Sequence, residues 1–576
     1  MTVNHSQDHL DPRRSFTREE VTAVWIRQNR KCNECTREVP RDLIEGDHIV
    51  PWSTGGATSM DNLQALCVAC NRRKGIREGF LSDKAVAPAS AGIAPLRSWQ
   101  ERALEVALKA SSPVLIEACP GAGKTRFGLE YAARMFVEKV INRVLIVVPT
   151  RRLVSQWVEA GSGARGEAVV PLAPAGWRPT QALLQHWCGA AFTYHALFAQ
   201  TVMIEALVAE PGFKTLLIFD EIHHVGNETA WGLAAQEAVM NASTRILSLS
   251  GTAFRTRGAI AFTRTYHGRS IADYTYSYGD ALVEGVCRPL RFIAIGGTAT
   301  FQTREGIVET VSFDDDLNEQ GESYRLRTVL SPDGDHLREM LRIANEELTR
   351  LRTSTDPDAG GVVVCIDCDH ADSVARLIET ITGTRPTVAY SRLNDLDDPS
   401  PQFAIEAFST GTSPWIVSVR MVSEGVDIRR LRVLVYATSI VTELAFRQIT
   451  GRVVRTDAKN SDVDYGIVVL PAEPRLLNIA NRLLEEAALP QRESLVMHEP
   501  RTAGNIHRTE NDHSFIPLGS TGELAVIIDG NGRSAPADLF VAAKRYVEAS
   551  DSKIPPFEVA LAAAQDDRLR LLLEDY

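Results

Sequence analysis

The chain has 576 residues, 44% of them apolar and 23% charged, with a formal net charge of −11. That length is too great for one hydrophobic core and implies several domains. The composition excludes wholesale disorder, and the acidic total gives no sign of nucleic-acid binding, although a local basic groove outweighs a total.

The first residues, "MTVNHSQDHL", are polar, and no apolar run approaches the roughly 20 residues that span a bilayer. A cytoplasmic protein with no membrane segment is expected. Without an export signal, the nine cysteines point to thiols or metal ligands and away from a disulfide framework.

Residues 1–80 form a first, compact unit. Cys32 and Cys35 ("CNEC") and Cys67 and Cys70 ("CVAC") are two pairs with the spacing of a closed, tetrahedral Zn²⁺ site. In so small a unit the metal would supply much of the folding energy. Between the pairs lies "GDHIVPWSTGG" (Gly46–Gly56), and after them the basic run Arg72, Arg73 and Lys74, which either holds phosphates or is simply solvated. Residues 81–95, rich in Ala, Pro, Ser and Gly, read as a linker.

From 96 to 290, the unbroken apolar runs "VLIEA", "VLIVV", "LLIFD" and "ILSLS" alternate with amphipathic helical stretches, the pattern of a buried parallel sheet. The pattern restarts in 291–475 with "GVVVCI", "WIVSV", "VLVYA" and "GIVVL". An α/β chain with two successive parallel-sheet lobes is expected. The acidic, irregular stretch 296–330 reads as an insertion or edge element, and Cys365 and Cys368, with no second pair, read as strand-end thiols. Residues 476–576 show helical patterns but no motif.

Two stretches carry phosphate chemistry. "ACPGAGKT" (Ala118–Thr125) joins an apolar strand to an amphipathic helix. Gly121 and Gly123 let backbone N–H groups approach phosphate oxygens, Lys124 would reach the β/γ-phosphates of ATP, and Thr125 would hold Mg²⁺. "LLIFDEIHH" delivers Asp220 and Glu221 to a strand end, where Asp220 would bind Mg²⁺ and Glu221 would orient the attacking water. The bland alternative is a solvated acidic strand end. His224 reads as an interlobe or core residue.

The order of these motifs resembles the superfamily 2 DExH helicases over about residues 96–475, most of all the branch of restriction motor subunits and repair helicases. The resemblance implies two tandem RecA-like lobes with ATP between them. It gives Gln100 in "LRSWQERAL" the adenine, and "VVPTRRLVSQW" and "TYHAL" contacts to a nucleic-acid strand. "LSGTAFR" would couple hydrolysis to motion, and Gly425 and Asp427 in "VSEGVDI" would lie near the ribose. "QITGRVVR" would place Gln448, Arg452 and Arg455 on one helical face, with both arginines reaching the γ-phosphate as fingers.

Residues from about 32 to 75 resemble the HNH nucleases, a zinc-stapled ββα-metal fold. By that resemblance His48 is the general base, since imidazole takes and returns a proton near neutral pH. Asp47 would bind Mg²⁺ or Mn²⁺, and Asn62 would brace the hairpin at that metal site and orient His48. Asn71, where the family name expects His, would give the metal a neutral oxygen. The whole then reads as an ATP-dependent DNA helicase or translocase coupled to an HNH endonuclease, serving restriction, antiviral defence or DNA processing. Double-stranded DNA is the expected partner, with RNA left open. The alternative is a nucleic-acid-remodelling ATPase whose zinc head only docks DNA or RNA. A third is an ATP-gated sensor that binds a protein partner through residues 476–576.

Overall fold

A computed structural model describes residues 13–33, 38–49, 57–71, 95–161, 170–173, 187–199, 213–222, 244–251, 260–390, 400–419, 428–456, 465–488, 515–528, 534–550 and 554–573, apart from a few single positions. Cys35, residues 50–56, Arg72 to Lys74, His224, Gly425 and Asp427 lie outside the described residues.

In the head, helix α1 (Arg18–Arg27) begins at a capping box, in which the Thr17 side chain accepts from the Glu20 N–H and Glu20 caps the Thr17 N–H. The helix lays Val21 and Val24 on an antiparallel hairpin of β1 (Ile44–His48) and β2 (Leu63–Cys67). The register pairs Ile44 with Cys67 and His48 with Leu63. Helix and hairpin touch at Gly46, where an added Cβ would lie 2.4 Å from Val21 Cγ2. The small core includes Ile44, Leu63 and Leu66 together with Cys32, Cys67 and Cys70.

Further along, helix α2 (Ser98–Lys109) precedes β3 (Val114–Ala118), α3 (Lys124–Val137), β4 (Arg143–Val148) and α4 (Arg151–Gly161). Strands β5 (Gly189–Thr193), β6 (Thr215–Phe219), β7 (Thr244–Ser250) and β8 (Tyr274–Tyr276) complete a first sheet. Its order is β8-β3-β7-β6-β4-β5, parallel throughout. β4 and β6 are buried along their whole length, which is why their sequences are unbroken apolar runs.

A second sheet starts at Leu290. Its strands are β9 (Leu290–Gly296), β10 (Gly360–Cys365), β11 (Thr387–Ala389), β12 (Trp415–Ser418), β13 (Leu431–Ala437), β14 (Gly466–Pro471), β15 (Glu523–Ile528) and β16 (Ser534–Pro536). They run in the order β11-β12-β10-β13-β14-β9-β15-β16. The pairs from β11 to β9 are parallel and the last two are antiparallel. The two parallel α/β sheets expected from the sequence are therefore present.

Residues 476–576 depart from the expectation of a separate helical region. β15 and β16 extend the second sheet past β9, and Ile516–Ser520 pairs with Thr298–Gln302. The acidic stretch 296–330 is thus an ordered edge element, a hairpin of Thr298–Gln302 and Val308–Ser312 followed by the helix Glu319–Val329. These strands are short and half exposed, so they lack the apolar signature of the buried ones. Cys365 ends β10, as a strand-end thiol should, whereas Cys368 begins the next helix. Among the described residues no helix is long and apolar enough to cross a membrane.

Candidate active sites

β3 feeds a loop in which Gly121 (φ +82°) and Gly123 (φ +97°) adopt the left-handed conformation that side chains disfavour, and Gly123 caps α3. The start of α2 braces this loop. Arg97 Nη1 donates to the carbonyls of Gly121 (3.1 Å) and Ala122 (2.8 Å), and Trp99 Nε1 donates to Ala122 O (3.1 Å). Gln100 Nε2 donates to Gly123 O at 3.0 Å, while its Oε1 accepts from the Arg97 N–H at 2.9 Å. Gln100 is thus buried against the phosphate loop, with both ends of its amide engaged. Thr125 is the second residue of α3. Lys124 Nζ donates to Ala118 O at 3.2 Å and lies 3.3 Å from Glu221 Oε1.

Asp220 and Glu221 follow β6. Asp220 is 3% exposed. Its Oδ2 accepts from Trp157 Nε1 at 2.9 Å, its Oδ1 accepts from the Glu221 N–H at 3.1 Å, and its carbonyl accepts from the Tyr194 hydroxyl at 2.9 Å. Burial, then the Glu221 charge, raises the Asp220 carboxyl, while Lys124 and Trp157 pull it back; it is pushed up to about 6. Glu221 has φ +50°, a strained conformation for a non-glycine residue, and its Oε2 accepts from the Gly251 N–H at 3.2 Å. A buried carboxylate held against its own desolvation is one that a divalent cation relieves, so Asp220 suits a divalent cation.

Across the cleft, helix α5 (Glu443–Thr450) carries Gln448 and stops at its C-cap, Gly451. A Cβ on Gly451 would lie 2.7 Å from Pro120 Cβ. The shared helical face expected for Gln448, Arg452 and Arg455 is therefore not formed. Arg452 sits in the turn after the helix, with its N–H bonded to Ile449 O (3.1 Å), and Arg455 is extended, in a bridge with Cys287. The helix ends where it meets Pro120. Arg455 nonetheless reaches the loop: a Cβ on Gly121 would lie 3.2 Å from Arg455 Cγ. The structure thus gathers Gln100, Gly121, Gly123, Lys124, Asp220, Glu221 and Arg455 around one loop.

In the head, the sulfurs of Cys32, Cys67 and Cys70 are buried and lie within 4.8 Å of one another. The neighbouring Cys32 sulfur, then burial, pushes the Cys67 thiol well up. A divalent ion inverts that balance, and the set is compatible with Zn²⁺.

Asp47 Oδ2 accepts from Gln64 Nε2 at 3.1 Å, and Gln64 Oε1 accepts from Asn33 Nδ2 at 3.0 Å. Asn71 Nδ2 donates to Glu45 Oε2 at 2.9 Å. Glu45 and Asp47 are two apart on β1, so they share a face, and Asn71 is tied to that face. Fixing the Asn71 nitrogen on Glu45 sets which end of the amide offers the carbonyl oxygen, the atom a hard cation takes.

His48 projects to the other face, 9% exposed, with its ring centroid 4.5 Å from that of Phe16. Its Nε2 lies 3.0 Å from Thr58 Oγ1, and the single Thr58 hydroxyl proton is donated to Arg13 O. Nε2 is therefore the donor to Thr58, and in the neutral ring Nδ1 carries the lone pair. Asn62 braces the loop, its Nδ2 donating to Ala57 O (2.8 Å) and its main-chain carbonyl accepting from the Ile49 N–H (2.8 Å). Thr58 holds the His48 ring at Nε2. Sequence reasoning missed Thr58, Glu45 and Gln64, for which no pattern exists, and Trp157, which stood inside the motif "VVPTRRLVSQW".

Residues 93–255 match the family described as type III restriction enzyme, res subunit, and residues 32–77 match the family HNH endonuclease. The chain is 36% identical over 455 residues to the uncharacterized protein Rv2917 of Mycobacterium tuberculosis, covering 76% of this chain and 72% of that one. A 65-residue stretch is 35% identical to the type IV methyl-directed restriction enzyme EcoKMcrA of Escherichia coli, covering 10% of this chain and 24% of that one. Among solved structures, the ATP-dependent type ISP restriction-modification enzyme LlaBIII bound to DNA is 17% identical with a TM-score of 0.45, covering 69% of this chain and 30% of that one. The chain belongs to the family of the Mycobacterium tuberculosis protein Rv2917, and it joins an HNH endonuclease domain to a restriction-type, helicase-like domain.

Proposed function

We propose that this chain is an ATP-driven DNA translocase or helicase whose tethered HNH head cuts or nicks DNA, acting in the cytoplasm in restriction, antiviral defence or DNA processing. The observation that carries the motor half is Arg455 lying on Gly121 while Lys124 and Glu221 approach the same loop from the first sheet. ATP would lie on that loop with its β/γ-phosphates at Lys124. Glu221 would orient the attacking water, and Arg455, joined by Arg452, would stabilise the charge that develops as the γ-phosphoryl leaves. Gln448 and, beyond the described residues, Gly425 and Asp427 would complete the nucleotide site from the second lobe. When bound, Mg²⁺ supplies further neutralisation of the phosphates.

In the head, Asp47 and Asn71 would hold Mg²⁺ or Mn²⁺, which when bound polarises the scissile phosphate. His48, its tautomer set by Thr58, would take the proton from water at Nδ1. The similarity to a restriction enzyme over 65 residues supports DNA as the substrate.

One observation favours a second reading: His48 is buried against Phe16 on the face opposite Asp47, as it would be in a head that only docks nucleic acid. DNA-stimulated ATP hydrolysis and metal-dependent plasmid cleavage, assayed on one preparation, separate the two. Hydrolysis without any cleavage would leave the docking head.

A further inference from the structure

Trp157 is fully buried on α4, where Leu153, Val154, Trp157 and Gly161 form the inner face. Its ring edge meets the helix that starts at Lys124. A Cβ on Gly128 would stand 2.7 Å from Trp157 Cη2, so the indole occupies the place a larger residue at 128 would need. The other end of the same side chain donates Nε1–H to Asp220 Oδ2 at 2.9 Å. One rigid indole therefore touches both the phosphate-loop helix and the acidic strand end.

Core filling alone does not require this arrangement. An indole N–H is a donor only, so it directs one oxygen of Asp220 and cannot turn to accept instead. The Glu221 N–H takes the other oxygen at 3.1 Å, and the two bonds together set the plane of the carboxylate. Both partners are buried, so loss of the indole takes away a hydrogen bond made out of contact with solvent.

We propose that Trp157 is a positioning residue for the divalent cation: it fixes the carboxylate plane of Asp220 and ties that plane to α3 and α4. The proposal rests on the reading of this cleft as the Mg²⁺·nucleotide site.

The test is ADP binding to the full chain, measured by calorimetry without metal and across a Mg²⁺ titration. Trp157→Phe removes the donor and some volume. β-(3-Benzothienyl)alanine at position 157 removes only the donor, and it decides the matter where the Phe variant does not fold. Both variants should raise the Mg²⁺ concentration for half-maximal enhancement of ADP binding roughly tenfold or more, with metal-free ADP affinity unchanged. A benzothienyl variant with the wild-type Mg²⁺ dependence overturns the proposal. So does an equal loss of metal-free ADP binding, which marks a residue that only supports the fold. A wild-type chain that binds ADP no tighter with Mg²⁺ overturns the cleft assignment and the role of Trp157 together.

Discussion

Arg455 lies against the backbone of Gly121: a Cβ built on that glycine would stand 3.2 Å from Arg455 Cγ and 3.8 Å from its Nε. The arginine arrives on an extended segment that bridges Cys287, and the Cys287 sulfur contacts Pro120 O at 3.6 Å. The chain leading to the second sheet is thereby seated on the phosphate loop of the first.

If this contact serves hydrolysis, Arg455→Ala should slow ATP turnover by ~10³-fold or more, the scale of a lost arginine finger. ADP binding should survive, because Lys124 and the two loop glycines are untouched. Phosphate release measured beside ADP titration checks this. Equal losses of both would make Arg455 a support for the loop.

The head should depend on zinc. Cys67→Ser should release roughly one equivalent of Zn²⁺ and unfold the hairpin, because three buried sulfurs share that centre. Elemental analysis and calorimetry read this together: the metal and one unfolding transition are lost, and the motor transition stays. Wild-type protein purified without zinc would contradict it.

A pH dependence follows from Asp220. Burial lifts its carboxyl to about 6, above its ordinary value, so the folded chain without cation binds this proton more tightly than the unfolded chain does. That stabilising contribution is complete below the unfolded value of ~3.9 and is lost as pH rises through about 6. Mg²⁺ competes with the proton for the same oxygens. At limiting Mg²⁺ the acid limb of ATP hydrolysis should fall near pH 6, and excess Mg²⁺ should move it lower. A limb that ignores Mg²⁺ would assign the titration to another group.

Glu45 offers a test of the second metal site that spares the proposed ligands. It holds the Asn71 amide nitrogen at 2.9 Å, and Glu45→Ala should free that amide to turn. Mn²⁺ binding to the head, followed by electron paramagnetic resonance, should weaken by 10–100-fold, the usual cost of losing such a support. Zinc content should not change.

The sequence made the buried strands, the phosphate loop, the acidic pair and the paired cysteines legible, because each is local. Backbone conformation and strand burial leave their mark within a few residues, as "RVLIVV" and "GAGKT" show. What it hid depends on contacts between distant segments. Spacing put Arg452 and Arg455 on the helix of Gln448, yet that helix ends at Gly451 where Pro120, over 300 residues earlier, packs against it. Thr58 orients His48 and is itself held by Arg13, a pairing that no periodicity announces. β15 joins the second sheet from the chain's last quarter, where half-exposed strands resemble loops.

On the proposed reading, two separate active sites, one hydrolysing ATP and one cutting DNA, share this chain. Supercoiled-plasmid cleavage scored beside DNA-stimulated ATP hydrolysis for wild type, His48→Ala and Lys124→Ala tests it most directly. His48→Ala should cut about 10²-fold more slowly or worse, the range for a lost general base, with ATP hydrolysis unchanged. Lys124→Ala should lose ATP hydrolysis and keep basal Mg²⁺-dependent nicking. A His48→Ala protein that cuts as well as wild type would contradict the account and leave the head as a docking module.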